Sequence, residues 1–231
     1  MNKDTKQTEK SFGSEIETEE SLFEKCKNII KHNKLAFFSL IVIILIILCA
    51  IFANVVCRYN PYTQSLKDRL LAPSFAHPLG TDELGRDTLT RVIFGARISL
   101  TIGLIPTLIS MIIGTILGLI AGYFGGKIDF AIMRLADIML AFPSLLLAMV
   151  VMYTMGGGLI NIFIALSLVN WASTSRVVRS ETLSLSKKEY VEAAKSMGVG
   201  NATIIFRHIL PNCIPTLVVL FTLSIPSAIL S

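Results

Sequence analysis

The residues with the best chance of doing chemistry sit in "HPLGTDELGRDTLTRVIFGARISL", His77 to Leu100, where His77, Asp82, Glu83 and Asp87 fall within eleven positions. Their spacing fits no metal-ligand pattern. Turn and capping roles account for Gly80, Asp82, Gly85 and Asp87 instead. The three histidines, His32, His77 and His208, are scattered, and no nucleophile, base and orienting group can be assembled from them. Nor is there a glycine-rich phosphate loop. Cys26, Cys49, Cys57 and Cys213 have no paired spacing and read as small hydrophobes. The sequence therefore argues against an enzyme, and its function must lie in what its elements hold and move.

Those elements are set by lipid. Hydrophobic residues make up 53% of the chain and charged residues only 16%, with a mean hydropathy of +0.67, which is the membrane class rather than a soluble domain of 231 residues. "LAFFSLIVIILIILCAIFANVV", Leu35 to Val56, is 22 residues without a charge and reads as a retained signal-anchor span, being too long and too far from the N-terminus for a cleaved leader. Further spans are expected at Ile98 to Phe124, at Ile138 to Met155 with Pro143 interrupting it, at Leu159 to Ala172, and at Cys213 to Leu230. The shorter Leu159 segment follows the turn "GGG", places Trp171 where an interfacial ring would sit, and can continue as a helix through "STSRVVRSETL".

The remaining divisions are a polar tail over 1–34, with a short helix expected at "ESLFEKCKNIIKHNK", and a segment 57–97 between the first two spans. In that segment Leu89, Val92, Ile93 and Ala96 form an apolar stripe between Asp87 and Arg97, which suggests an interfacial helix feeding the second span. With the N-terminus in the cytoplasm, twelve of the lysines and arginines from Lys25 onward face inside and six outside. The basic balance, net charge +5, is thus explained by loop anchoring, and nucleic-acid binding is not indicated. The cores of the expected spans hold no Asp, Glu, Lys, Arg or His, which weighs against an ion-coupled transporter or channel. Within the second span Gly114, Gly118 and Gly122 recur every four residues, a small-residue stripe that lets another helix approach closely.

One charged segment interrupts the apolar ones: "EYVEAAKSMGVGNATIIFRHILPN", Glu189 to Asn212. "SKKE", Ser186 to Glu189, has capping-box spacing and predicts a helix start, and Gly198 is placed to end that helix in a left-handed turn. Tyr190, Ala193, Ala194 and Met197 fall on one face, where small side chains would permit close docking. Asn201 is spaced to cap a second helix, "ATIIFRHIL", which should end or bend near Pro211.

The run Glu192, Ala193, Ala194, Gly198, Leu210 and Pro211 resembles the EAA loop of permease subunits in binding-protein-dependent ABC importers, with His208 standing where that pattern has isoleucine. Gly80, Thr81, Asp82, Gly85, Arg86, Asp87, Arg91, Gly95 and Arg97 resemble the segment before the second span of C-type permeases from dipeptide, oligopeptide and nickel importers. The resemblance covers about 34–231. It implies an all-α integral membrane protein with the type I ABC importer transmembrane fold, of which five spans are present and a sixth would follow "IPSAILS".

It further implies a coupling loop at about 176–212. There Tyr190, Glu192, Ala193, Ala194, Met197, Gly198, Leu210 and Pro211 would meet a cytoplasmic ATPase. The implied partners are a second permease, two ATPase subunits that bind the ATP and Mg, an extracytoplasmic substrate-binding protein and membrane lipid. This chain would bind no cofactor and no metal. The implied cargo is a di- or oligopeptide, with nickel as the alternative, and the implied location is a prokaryotic plasma membrane, crossed several times.

Overall fold

The computed structural model describes residues 33–230. The expected polar tail and its short helix therefore lie outside the described residues, apart from Asn33 and Lys34. The chain forms two compact units, one up to Phe94 and one from Gly95 onward. Among the described residues the regular structure is helical, with a single isolated bridge between Thr81 and Asp87.

Helix α1, Lys34–Ile51, starts where the Asn33 carboxamide accepts the amides of Leu35 and Ala36 at 3.1 and 3.3 Å. Its Phe, Leu and Ile side chains are exposed all round, with only Ala50 buried. Such a surface is stable in hydrocarbon, because every backbone group is bonded within the helix. Eighteen residues span about 27 Å, close to a hydrocarbon core of about 30 Å. The expected 22-residue span is broken at Phe52, and α2, Ala53–Val56, follows.

Helix α3, Thr88–Phe124, runs 37 residues without a break. The separate interfacial helix expected between Asp87 and Arg97 is instead the first part of this element. Its one proline, Pro106, is fully buried, and the Ser167 hydroxyl donates to the Pro106 carbonyl at 3.3 Å.

Next come α4, Gly126–Ala141, and α5, Ser144–Met155, which meet at 92°. The interruption at Pro143 is thus a corner rather than a kink. Phe142, the residue before proline, is extended (φ −96°, ψ 141°), as steric conflict with the proline ring requires.

Helix α6, Leu159–Leu185, packs against α4, α5 and the last helix and buries Ala165, Ser167, Val169, Trp171, Ala172, Ser175, Val178 and Thr182. Trp171 corrects the interfacial expectation: it is 4% exposed and packs with Ala136, Ala172, Leu117 and Met139. By length and composition α1, α3 and the last helix can cross a membrane, and a fourth span is reached if the α4–α5 pair counts as one. The expected span in α6 falls outside that set. A helix walled by its neighbours does not need an apolar surface on every side, and α6 carries Asn161, Asn170, Arg176 and Arg179.

The chain then makes a short helix, α7, Glu189–Ser196, and a long one, α8, Asn201–Leu230. Asn201 to Leu230 is continuous, where an end or bend near Pro211 was expected. Ile204–Ile209 instead winds as a π-helix, and the Leu210 amide reaches back five residues to the Ile205 carbonyl. A proline ring collides with the carbonyl four residues earlier, and the wider turn just before Pro211 opens room for it.

Candidate functional site

The α7–α8 hairpin is held from inside. Val191 and Ala194, three residues apart, point into a core with Leu119, Val178, Ile204, Ile205, Ile209, Cys213 and Leu217, flanked by Val199 and Leu210. Ala194 is therefore an inward residue, although its spacing placed it on the docking face, and Leu210 is likewise half-buried. Tyr190, Glu192, Ala193 and Met197 remain exposed, as does Pro211. Val191 and the three isoleucines were missed because they read as ordinary apolar residues. The signal was the three-residue step from Val191 to Ala194.

The helix boundaries follow from local bonds. The capping box does not form: Lys188 is the N-cap without a side-chain bond, and the Ser186 hydroxyl donates back to the Leu183 carbonyl at 3.0 Å, finishing α6. At the other end, the Gly198 amide bonds the Lys195 carbonyl at 3.0 Å and the Val199 amide bonds the Ala194 carbonyl at 3.1 Å. This pair of bonds is a Schellman motif, with Gly198 left-handed at φ +77°.

Tyr123, near the end of α3, grips both arms of the hairpin. Its hydroxyl donates to the Asn201 carboxamide at 2.9 Å, and the Lys195 ammonium lies 5.1 Å from its ring centre. Asn201 thus serves as an acceptor for Tyr123, and Gly200 occupies the cap position expected of it. The Thr216 hydroxyl donates to Glu181 at 3.0 Å, joining α8 to α6, while Arg179 and Arg176 pair with Asp129 and Asp137 across α6 and α4.

Gly114, Gly118 and Gly122 lie against α6. A Cβ at these positions would meet the Trp171 carbonyl oxygen at 2.6 Å, the Ser175 carbonyl oxygen at 2.7 Å and the Thr182 Cβ at 2.7 Å, respectively. The stripe is the contact line between two helices of this chain.

In the other unit, the loop before α3 is a bonded turn. Gly80 (φ +72°) and Gly85 (φ +70°) are left-handed, and a Cβ at Gly85 would overlap the Ser65 carbonyl oxygen at 1.7 Å. Thr81 accepts the Leu71 amide at 2.8 Å and donates to the Asp68 carbonyl. Asp82 accepts the amides of Leu84 and Arg86 at 2.9 and 3.0 Å and pairs with Arg86 and Arg91. Burial pushes the Asp82 carboxyl up, but those amides and guanidiniums outweigh it and hold the group well below the usual carboxylate range.

Asp87 caps α3 by accepting the Thr90 amide at 2.8 Å, and it meets His77 Nδ1 at 3.0 Å. For Asp87 too, burial raises the pKa and the Thr90 and His77 bonds more than reverse it. Tyr59 stacks on His77 with ring centres 4.8 Å apart. Gly95 and Arg97 lie further along α3, outside this network; Gly95 has open space around it and Arg97 is exposed. Among the described residues no group of three or more His, Cys, Asp or Glu could hold a metal ion.

Residues 114–231 match the family described as binding-protein-dependent transport system inner membrane component. The chain belongs to that family. Residues 28–73 also match the N-terminal TM domain of oligopeptide transport permease C. The oligopeptide transport system permease protein OppC of Bacillus subtilis is 41% identical over 86% of this chain, and the dipeptide transport system permease protein DppC of Alkalihalophilus pseudofirmus is 46% identical over 87%. The chain spans 65% and 66% of those relatives' lengths. OppC of Escherichia coli is 40% identical over the whole chain and 77% of its own length. For this permease-family chain, the match from residue 114 takes in the glycine stripe, α6 and the whole hairpin. The bonded turn around Asp82 lies between the two matched regions.

Proposed function

We propose that this chain is a transmembrane subunit of an ATP-driven importer that brings peptides into the cell, and that α7 is the element by which an ATPase subunit moves it. The observation that carries the reading is the division of α7. Val191 and Ala194 lock it to the bundle, while Glu192, Ala193 and Met197 are exposed on its outer side, together with Tyr190, whose hydroxyl accepts from the Asn212 carboxamide at 3.5 Å. A helix fixed on one side and open on the other passes a push inward as a rigid-body displacement.

The working assembly has a second permease, two cytoplasmic ATPases that carry ATP and Mg, and an extracytoplasmic binding protein, with the N-terminus of this chain in the cytoplasm. The names of the peptide permeases it resembles favour peptides over nickel as cargo.

The test is Gly198→Val in the assembled transporter. Open space surrounds Gly198, so the cost is backbone strain at positive φ, about 1–3 kcal/mol. Insertion should persist while ATPase co-purification and ATP-dependent peptide uptake fall. Gly200→Ala, at φ −63°, should change neither. Normal co-purification and uptake with Gly198→Val would remove α7 from the coupling role.

A further inference from the structure

A cavity of about 320 Å³ lies within the second unit, between α3, α5, α6 and α8. Its size falls at the lower end of the range for ligand pockets, about 300–1,000 Å³. Its lining mixes nine apolar residues with eight polar ones, none of them charged. Thr107, Ser144, Asn170, Thr174 and Ser227 reach it from four helices, and no Asp, Glu, Lys, Arg or His does.

Three other hydroxyls on the wall, Ser110, Ser173 and Ser224, donate to carbonyls of their own helices at 2.9, 3.0 and 2.7 Å and keep lone pairs to offer. Among the described residues, the side chains of Thr107, Ser144, Asn170, Thr174 and Ser227 make no hydrogen bond. Polar groups at membrane depth left without partners are costly, so these need water or a polar guest.

The geometry points to a binding site for the main chain of a peptide in transit. Hydroxyls and a carboxamide donate and accept equally well, matching the alternating N–H and C=O of a peptide backbone. With no charge on the wall, the site has no means of preferring acidic or basic side chains. An ion or a charged small solute would find no counter-charge there. This inference rests on the peptide-importer reading above and deepens it: the cavity recognises what all peptides share.

The experiment uses the full-length subunit in its complete complex, reconstituted in liposomes with the binding protein and ATP. Uptake of labelled trialanine and trilysine is measured for the wild type and for Thr107→Val/Asn170→Leu. The double variant should lose about tenfold in uptake of both peptides, by the same factor, with ATP hydrolysis retained. In a second arm, Ser227→Cys in a background free of other cysteines is labelled with a water-soluble maleimide, and saturating trialanine should slow labelling at least about threefold.

Wild-type uptake by the double variant, loss confined to one peptide, or Ser227→Cys labelling indifferent to trialanine would each overturn the site. If the double variant does not assemble, the labelling arm decides alone. A wild-type complex that imports neither peptide would overturn the importer reading itself, and the site with it.

Discussion

Gly118→Val tests the close approach of α3 and α6 at its centre. A Cβ there would lie 2.7 Å from the Ser175 carbonyl oxygen, 2.8 Å from Val178 Cβ and 3.0 Å from Val178 Cγ1. Ordinary van der Waals contact begins near 3.4 Å, so α6 must retreat by about 0.7 Å. The first obstacle is backbone, which cannot rotate away, and valine adds two methyl groups beyond the Cβ. Overpacking of this kind costs about 1–3 kcal/mol, and the upper end applies here. The gain in helix propensity from replacing glycine offsets only about 0.4 kcal/mol.

The net loss of about 2.5 kcal/mol should appear as a lower unfolding midpoint in detergent. The reporter is built in: Trp171 is the single tryptophan, it is buried, and its carbonyl faces Gly114. Its fluorescence should shift at lower denaturant in Gly118→Val than in wild type. Gly118→Ala should lie between, and Gly95→Ala, with nothing within 4 Å, should match wild type or exceed it by about 1 kcal/mol. A wild-type midpoint for Gly118→Val would mean that the helices do not touch along this line.

Tyr123→Phe removes the bond to Asn201 and should loosen the hairpin by about 0.5–1 kcal/mol, read as faster amide exchange in Glu189–Ser196. Tyr123→Leu also removes the contact with Lys195 and should loosen it further; equal exchange in all three proteins would refute the clamp. Asp87→Ala removes the cap of α3 and should cost about 1 kcal/mol, seen as exchange in its first turn. Asp82 and Asp87 have folded pKa values below the ordinary 3.8, so their stabilisation is fully present above that value and is lost only as pH falls beneath it. Amide protection of the Asp82 turn should therefore be the same at pH 7 and pH 5 and decline below about pH 4; a decline already at pH 5 would contradict the bonding described.

The helical class, the apolar elements and the glycine stripe were legible because each depends on residue type at fixed spacing. Gly114, Gly118 and Gly122 mark a close approach whatever packs against them. What they could not state was the partner: a small-residue stripe suits a neighbour in this chain or in another equally well, and only the positions of Trp171, Ser175 and Thr182 decide. The α4–α5 corner was hidden for a similar reason. Pro143 announces an interruption, but its angle depends on where α6 holds the two pieces.

The hairpin shows where spacing misleads. "SKKE" satisfies the capping-box pattern, yet Ser186 is still the end of α6, so its hydroxyl turns backward to Leu183 and not forward to Glu189. Periodicity put Tyr190, Ala193, Ala194 and Met197 together, and three of the four are indeed exposed. The fourth is not, because eight residues of helix cannot reveal which of two adjacent rows the bundle will claim.

That assignment gives the hairpin its mechanical character. Val191 and Ala194 of α7 meet Ile204, Ile205 and Ile209 of α8 in one core, and the π-helix is the stretch that supplies those three isoleucines. Ile205 and Ile209, four residues apart, share a face in an α-helix as well, but an α-helical winding would set Ile204 about 140° around the axis from Ile209, turning it off the core. The extra residue in the turn keeps it there and makes room for Pro211 in the same step. Pro211→Ala should therefore relax the winding, draw Ile204 off the core and loosen α7 in part, while Ile209→Ala removes a fully buried side chain and should loosen it further, with amide exchange of Val191 and Ala194 ranking the two.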